Sequence, residues 1–149
     1  MYTPRGNPVI DPRIFRAYDI RGIFHEPSIG VIDEDAVYHI AQAYLRVFPP
    51  ALADAENQAI VLGHDVRETS PRLWKAAAAG LTDAGVPVID IGQVSTDMLY
   101  FTAANYGYAG GIIISASHNP REYNGMKIVR EKAIPLSWDS GIRDVGLDA

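Results

Sequence analysis

The sequence predicts an α/β domain with a mixed, mostly parallel β-sheet flanked by helices. Short runs of almost wholly apolar residues end abruptly in polar residues, which is typical of strands that are covered on both faces. Between these runs lie segments whose apolar residues recur at helical spacing. Because the two kinds of segment alternate along the chain, as they do where helices connect parallel strands, we predict this fold class.

An extended segment and a long helix are predicted to open the domain. Residues 14–24 carry apolar side chains at odd and even positions alike, and Gly22 predicts a turn that interrupts them. After Asp33, apolar residues recur at helical spacing until Pro49 and Pro50, which predict the end of the first helix.

Two strands and a second helix are predicted next. Residues 59–63 form an apolar run followed by polar residues, as expected of a buried strand. Ser70 is predicted to cap a helix that ends at Gly85. The following strand, over 86–92, contains Pro87, which favours the start of a strand or an edge position in the sheet.

A third helix and two further strands complete the predicted domain. Thr96 and Asp97 are predicted to cap the helix. The apolar run 110–116 predicts a strand that opens directly into a loop at Ser117, and 126–129 predicts a last strand that pairs antiparallel across this loop. Ligands of α/β sheets gather at the carboxyl ends of strands, so this loop is the candidate site.

Composition limits the functions that are open to the chain. It has 149 residues, enough for one domain, no cysteine, and a formal net charge of -5. The lack of cysteine excludes disulfide frameworks and thiolate chemistry, and the acidic balance argues against nucleic-acid binding, which needs a basic surface. No stretch approaches the length of a membrane span, so we expect no membrane partner, and the acidic charge predicts no nucleic-acid partner. A cytoplasmic protein is the default expectation for a chain without cysteine.

The segment 115–127 carries the clearest chemical signal. The strand before it delivers the Ser117 hydroxyl to a loop, Asn119 begins a turn stiffened by proline, and Gly125 is predicted to adopt a conformation that other residues resist. Lys127 lies on the next predicted element, where its cation can approach the Ser117 hydroxyl. Phosphoryl transfer requires a hydroxyl acceptor with a nearby cation. Without a known relative, a purely structural turn explains residues 117–120 equally well, and a solvated strand end is the more common role for a lysine such as Lys127.

Three ordered segments resemble the α-D-phosphohexomutase superfamily. Residues 115–127 resemble its phosphoserine loop, 15–22 resemble the N-terminal motif of its phosphomannomutase/phosphoglucomutase branch, and 63–70 resemble its first strand-to-helix loop. The resemblance covers essentially all of residues 1–149. It implies the N-terminal domain, or domain I, of a four-domain enzyme.

The resemblance also implies roles for individual residues. Ser117 would donate and accept the phosphoryl group and would bind Mg²⁺ through its phosphate, with the other metal ligands supplied by another domain. Lys127 would be the general acid/base, His118 would assist proton transfer or steady the loop, and Arg21 would hold phosphate oxygens or bias the protonation of Lys127. The implied substrate-binding residues are Tyr18, Arg21, Asn119 and Lys127.

The implied enzyme interconverts hexose 6-phosphate and hexose 1-phosphate through a phosphoserine and a bisphosphorylated sugar. It would act on mannose and glucose phosphates, with Mg²⁺ as cofactor and hexose 1,6-bisphosphate as activator. Its site would be completed by the remaining domains of the same enzyme, so this chain alone is expected to be inactive. A phosphoglucosamine mutase and a free-standing phosphosugar-binding module are the alternatives.

Several other side chains are expected to be structural. Asp65 and Arg67 are expected to form a pair that supports the site. His25, His39 and His64 are expected to be structural or solvated, because they lack the spacing of metal ligands. The aromatic residues on the helical stripes are expected in the core: Tyr44, Phe48, Trp74, Tyr100 and Phe101.

Overall fold

A computed structural model describes residues 1–24 and 31–149 as a single β-sheet with helices on both faces. The strands are β1 (Ile20–Ile23), β2 (Asn57–His64), β3 (Val88–Gln93), β4 (Tyr108–Ile114) and β5 (Tyr123–Arg130). The α-helices are α1 (Glu34–Val47), α2 (Ser70–Asp83), α3 (Thr96–Asn105) and α4 (Arg143–Asp148). Shorter 3₁₀ turns lie at Pro12–Ile14, Pro50–Leu52 and Glu131–Ala133, and one π-helical turn lies at Trp138–Ile142.

The sheet has the strand order β1-β5-β4-β2-β3. β2 pairs in parallel with both β3 and β4, whereas β5 is antiparallel to β4 and to β1. β5 therefore runs against the common direction of the other four strands. The predicted mixed, mostly parallel sheet is confirmed, as are the antiparallel last strand and the edge position of the strand that follows Pro87.

Alternate residues of the central strands enter two separate cores. Ile60 and Ile112 face the core formed with α1, α2 and α4, whereas Val61 and Ile113 face a smaller core formed with α3. Burial on both faces explains why the strands are continuous apolar runs. It also leaves α3 as the cover on one face of the sheet.

The start of the fold differs from the prediction at Gly22. The residue does not break the chain but lies inside β1, paired with Asn124 of β5. Its partner strand is distant in sequence, so local pattern alone could not show this pairing. His25, predicted to be structural or solvated, lies outside the described residues.

Two predicted helix caps are wrong by one residue. Thr69 precedes α2, and the Ser70 hydroxyl donates to Asp65 Oδ1 at 2.5 Å instead of capping the helix. Ser95 caps α3, because its Oγ accepts from the backbone N–H of Met98 at 3.2 Å. The cap of α1 by Asp33, whose Oδ1 accepts from the backbone N–H of Ala36 at 2.8 Å, follows the sequence pattern.

The helices also correct one core assignment. Tyr44 is buried as predicted, but Phe101 is 57% exposed on α3. α3 is apolar around much of its circumference and buries only Leu99 and Ala103 fully, so Phe101 faces away from the sheet. None of the helices in residues 1–24 and 31–149 has the length and apolarity needed to cross a membrane.

Candidate active site

The Ser117 loop begins at the carboxyl end of β4 and has an unusual backbone. Ser117 has φ 53°, in the left-handed region that favours glycine, and its side chain is exposed. Its backbone N–H donates to the Oγ of buried Ser115 at 3.1 Å. Asn119 holds the turn, because its side-chain amide donates to the carbonyl of Ala116 at 2.7 Å. Outliers of this kind collect at functional sites, so we take the loop as the centre of the candidate site.

A cavity of about 560 Å³ opens beside this loop. The residues that line it are Ala17, Tyr18, Asp19, Arg21, Ser117, His118, Asn119 and Lys127. All six predicted site residues thus converge on one cavity, although they come from two segments far apart in sequence. Their chemical roles stay predictions.

Pairing between β1 and β5 brings the two cations together. Arg21 lies opposite Gly125, and Ile20 lies opposite Met126, so the residue before Ile20 lies opposite Lys127. Side chains two residues apart on a strand share a face, which puts Arg21 and Lys127 on the same side of the sheet. Both remain partly accessible, with side-chain exposures of 38% and 22%.

Asp19 links these cations and was missed as a site residue. Its carboxylate lies 3.4 Å from Arg21 Nε and 3.7 Å from Lys127 Nζ, and the residue is 8% exposed. A buried charge needs partners of opposite charge, and the two cations together stabilise the Asp19 carboxylate. The available signal was its position between Tyr18 and Arg21 in the segment 15–22. With two cations and one carboxylate, this part of the cavity suits an anion in an otherwise acidic chain.

Tyr100 of α3 lies close enough to Asp19 for this charge to affect its pKa. Burial raises the pKa of its phenol, and the charges of Asp97 and Asp19 raise it further.

A polar network fixes the base of the loop to α2. Asp65 Oδ1 accepts from the Ser70 hydroxyl at 2.5 Å and from the Arg67 backbone N–H at 3.0 Å. Fully buried Asn124 donates from Nδ2 to Ser70 Oγ at 2.9 Å and to Thr69 Oγ1 at 2.8 Å, while its Oδ1 accepts from its neighbour's backbone N–H. No local pattern indicated this role of Asn124, which lies before the strand predicted over 126–129.

Arg67 forms the expected pair with Asp65, at 3.4 Å between Nε and Oδ2, and also reaches the Ser117 loop. Its Nη1 donates to the carbonyls of Pro120 and Tyr123 at 2.8 and 3.2 Å. Its Nη2 donates to the carbonyls of Ser117 and Asn119 at 3.1 and 2.7 Å. The loop is thus tied through one side chain to the segment that follows β2.

Gly125 is required for space and not for backbone conformation, which corrects the prediction. Its φ is not in the left-handed region. A Cβ built on it would lie 2.1 Å from the carbonyl oxygen of Ile20, in the neighbouring strand. The glycine therefore allows β1 to approach β5.

Comparison with known proteins identifies the family to which the chain is similar. The sequence model of the family described as "Phosphoglucomutase/phosphomannomutase, alpha/beta/alpha domain I" matches residues 12–144. The phosphomannomutase of Escherichia coli (strain K12) is 49% identical over 131 residues, which are 88% of this chain and 26% of that protein. A phosphomannomutase of Klebsiella pneumoniae is 47% identical over 131 residues, 88% of this chain and 76% of that protein.

The fold comparison gives the same family. An X-ray structure of a phosphoglucomutase/phosphomannomutase family protein from Burkholderia thailandensis superposes with a TM-score of 0.78 at 32% identity, over 92% of this chain and 30% of that chain. The chain therefore spans between a quarter and a third of the E. coli and B. thailandensis proteins. It belongs to the phosphoglucomutase/phosphomannomutase family, of which it represents the α/β/α domain I.

Proposed function

We propose that this chain is the phosphoserine-bearing domain of a cytoplasmic enzyme that interconverts hexose 6-phosphate and hexose 1-phosphate, with Ser117 as the phosphoryl carrier. The observation that carries the proposal is the convergence of the Ser117 hydroxyl, Arg21 and Lys127 on one cavity. Relatives named phosphomannomutase support mannose phosphates as substrates, and the family description, which also names phosphoglucomutase, supports glucose phosphates. Phosphoryl transfer depends mainly on positioning and on stabilising charge, which is what these side chains offer.

In the proposed first half-reaction, the bond between phosphorus and Ser117 Oγ breaks as a bond forms between phosphorus and a sugar hydroxyl oxygen. The proton that leaves the sugar hydroxyl is balanced by the one that Ser117 Oγ gains. Lys127 is the proposed group that moves this proton, assisted by His118. The bisphosphorylated sugar then reorients in the site and returns its other phosphoryl group to Ser117 by the reverse steps.

The remaining side chains of the cavity would hold the substrate. Arg21 can bind phosphate oxygens with two parallel N–H groups, a geometry that arginine favours. Tyr18 is 76% exposed at the rim and is available to a sugar, and Asn119 supports the loop from within the cavity. A hexose 1,6-bisphosphate would act as activator by phosphorylating Ser117 when it has lost its phosphate.

Mg²⁺ is the proposed cofactor, and this chain fits it as the donor of one ligand. Among residues 1–24 and 31–149, no group of three or more His, Cys, Asp or Glu side chains could hold a metal. The nearby carboxylates of Asp19 and Asp65 are already paired with Arg21, Lys127 and Arg67. Phosphorylated Ser117 would supply an oxygen, and the remaining domains would supply the other ligands. Bound there, Mg²⁺ would offset the negative charge of two phosphates in one cleft.

The test measures mutase turnover of a phosphomannomutase that carries this chain as its first domain. Ser117→Ala is expected to abolish turnover, while Ser137→Ala, which changes a serine that does not line the cavity, is expected to leave it intact. Peptide mapping after incubation with the bisphosphate should locate the phosphate on Ser117. Phosphate on another residue, or normal turnover by Ser117→Ala, would refute the proposal.

The isolated chain is expected to fold but not to turn over. Its two cores consist of residues that are buried within this chain alone, so its heat denaturation should be cooperative. Turnover needs metal ligands and substrate contacts that we propose lie in other domains, and their loss removes several kcal/mol of transition-state stabilisation. Turnover by the isolated chain that vanishes in Ser117→Ala would show that one domain suffices.

A further inference from the structure

Every N–H donor of the Arg67 guanidinium faces a protein oxygen. A guanidinium has five such donors in a planar fork. One faces the Asp65 carboxylate, and the other four are matched by the backbone carbonyls of four loop residues: Ser117, Asn119, Pro120 and Tyr123. The Arg67 side chain is only 16% exposed, so these bonds face little competition from water.

These four carbonyls fix the shape of the loop between β4 and β5. The direction of the Ser117 carbonyl is set by the ψ angle of that residue, so a hydrogen bond to it restrains Ser117 itself. Restraint is needed because Ser117 has φ 53°, a conformation that a non-glycine residue holds only when its surroundings compensate. The bond to Tyr123 anchors the other end of the loop at the first residue of β5.

The N–H donors of Arg67 are directed at protein atoms and not at the cavity that holds Arg21 and Lys127, which Arg67 does not line. Arg67 does line a neighbouring cavity of about 450 Å³ with Ser117 and His118, but its charge there is paired with Asp65. Four of its five donors are used in hydrogen bonds to the loop, and the fifth, Nε, lies 3.4 Å from the Asp65 carboxylate. Its effect on chemistry must therefore pass through the loop that it orders.

We propose that Arg67 is a positioning residue, which holds the Ser117 hydroxyl where it can exchange a phosphoryl group while touching neither substrate nor phosphate. The inference rests on the proposed function of Ser117. It predicts that lysine cannot replace Arg67, since an ammonium has three donors and no planar fork. The fork and not the positive charge is the required feature.

The first experiment measures the loop directly, in the chain itself. Amide signals and hydrogen exchange are compared by ¹H–¹⁵N NMR for Arg67→Lys and for Arg121→Lys, a matched change at an exposed arginine of the same loop. We expect shifted signals and faster exchange across residues 117–123 in Arg67→Lys alone, with the two cores unchanged. An undisturbed loop in Arg67→Lys would overturn the inference, and so would loss of dispersed signals throughout the chain, which would assign Arg67 to general stability.

The second experiment measures turnover in a phosphomannomutase that carries this chain. Arg67→Lys is expected to lower kcat about 10²-fold with little change in KM, the cost of misplacing a reacting group by about 1 Å. Methylguanidinium should restore part of the activity of Arg67→Ala, and methylammonium should not. Unchanged kcat despite a disordered loop, or equal rescue by both cations, would overturn the inference. Normal turnover by Ser117→Ala would instead refute the proposed function of Ser117. The NMR measurement of the loop does not depend on that function, so the two failures can be told apart.

Discussion

Replacing Gly125 with alanine tests whether the close approach of β1 and β5 builds the site. Gly125 is buried opposite Arg21, and an added Cβ would lie 2.1 Å from the Ile20 carbonyl oxygen and 3.0 Å from Arg21 Cα and Cβ. These are mainly backbone atoms, which cannot rotate away as the end of a flexible side chain can. The strand itself must therefore move.

The size of the effect follows from this distance. Non-bonded atoms of this kind rest at roughly 3.5 Å, so β1 must retreat by about 1 Å or more. Because β1 is an edge strand, it can retreat without breaking the centre of the sheet. We expect a loss of about 2–3 kcal/mol in the free energy of unfolding, the upper part of the range for overpacking. In a domain of this size that lowers Tm by roughly 5–10 °C.

The same movement should impair catalysis. Lys127 Nζ and Asp19 Oδ2 are already 3.7 Å apart, and a retreat of β1 would separate this ion pair and withdraw Arg21 from the cavity. In a phosphomannomutase that carries this chain, we expect kcat to fall about 10²-fold, as a displacement of about 1 Å can cause.

Thermal unfolding followed by circular dichroism measures the stability change, with Gly111→Ala as the matched control. Gly111 lies in the adjacent strand, and its added Cβ would meet only side-chain atoms, of Val129 at 3.3 Å and Leu99 at 3.4 Å. Gly111→Ala should lose less unfolding free energy than Gly125→Ala, because these side chains can adjust. A Tm for Gly125→Ala within about 2 °C of the unmodified chain, or equal to that of Gly111→Ala, would refute the reasoning.

Two further substitutions test chemistry and pH dependence. Lys127→Met should lower kcat by about 10²- to 10⁴-fold with KM nearly unchanged in a steady-state assay, whereas an unchanged rate would make Lys127 an ordinary solvated lysine. Tyr44→Phe removes a buried hydroxyl that donates to the Val129 carbonyl at 3.0 Å, so it should cost about 1 kcal/mol at pH 7 in urea unfolding. Burial, helped by Glu131 and opposed by Arg130, raises the pKa of Tyr44, so its stabilising effect is complete below the unfolded value of about 10 and is lost as pH rises through the folded value. Tyr44→Phe should therefore lose less stability than the unmodified chain above about pH 10, and identical losses would contradict this explanation.

The elements that the sequence predicted well are those whose signals are local. The stripe of α1 and the apolar runs of β2 and β4 each determine their own structure, because burial on one or both faces leaves a periodic mark. The misses depend on distant partners. Ser70 does not cap α2 because Asp65 and Asn124 engage its hydroxyl, and Gly22 stays in a strand because β5 pairs with it.

The last helix, α4, is an element that local sequence patterns did not predict. α4 has six residues, too few for a clear periodic pattern, and the sequence analysis predicted no element there. Contacts with the rest of the fold hold it in place. Arg46 of α1 bonds to Asp148 at 2.5 Å, and Gly146 leaves room for the ring of Phe15.

Within the site, residue types were easier to predict than their partners. The resemblance of three segments to one family led to the residues that line the cavity, but no pattern indicated that Asp19 lies between two cations. Nor did any local signal show that Arg67 binds four carbonyls some fifty residues away. Both facts depend on contacts that only the folded chain creates.

The mixed sheet explains why the site forms where it does. Residues 125, 127 and 129 of β5 share one face with Ile113 of β4. α3 covers Ile113 and Val129 on this face, while Lys127 and Arg21 line an open cavity farther along it. Had the chain crossed over to form a parallel strand after Ser117, a connection of a dozen or more residues would have been needed, and Lys127 would not follow ten residues later. The antiparallel return of β5 keeps Lys127 near Ser117, and the addition of β1 to its free edge brings Asp19 and Arg21 to the same cavity. The one strand that breaks the parallel pattern is thus the strand on which the proposed chemistry depends.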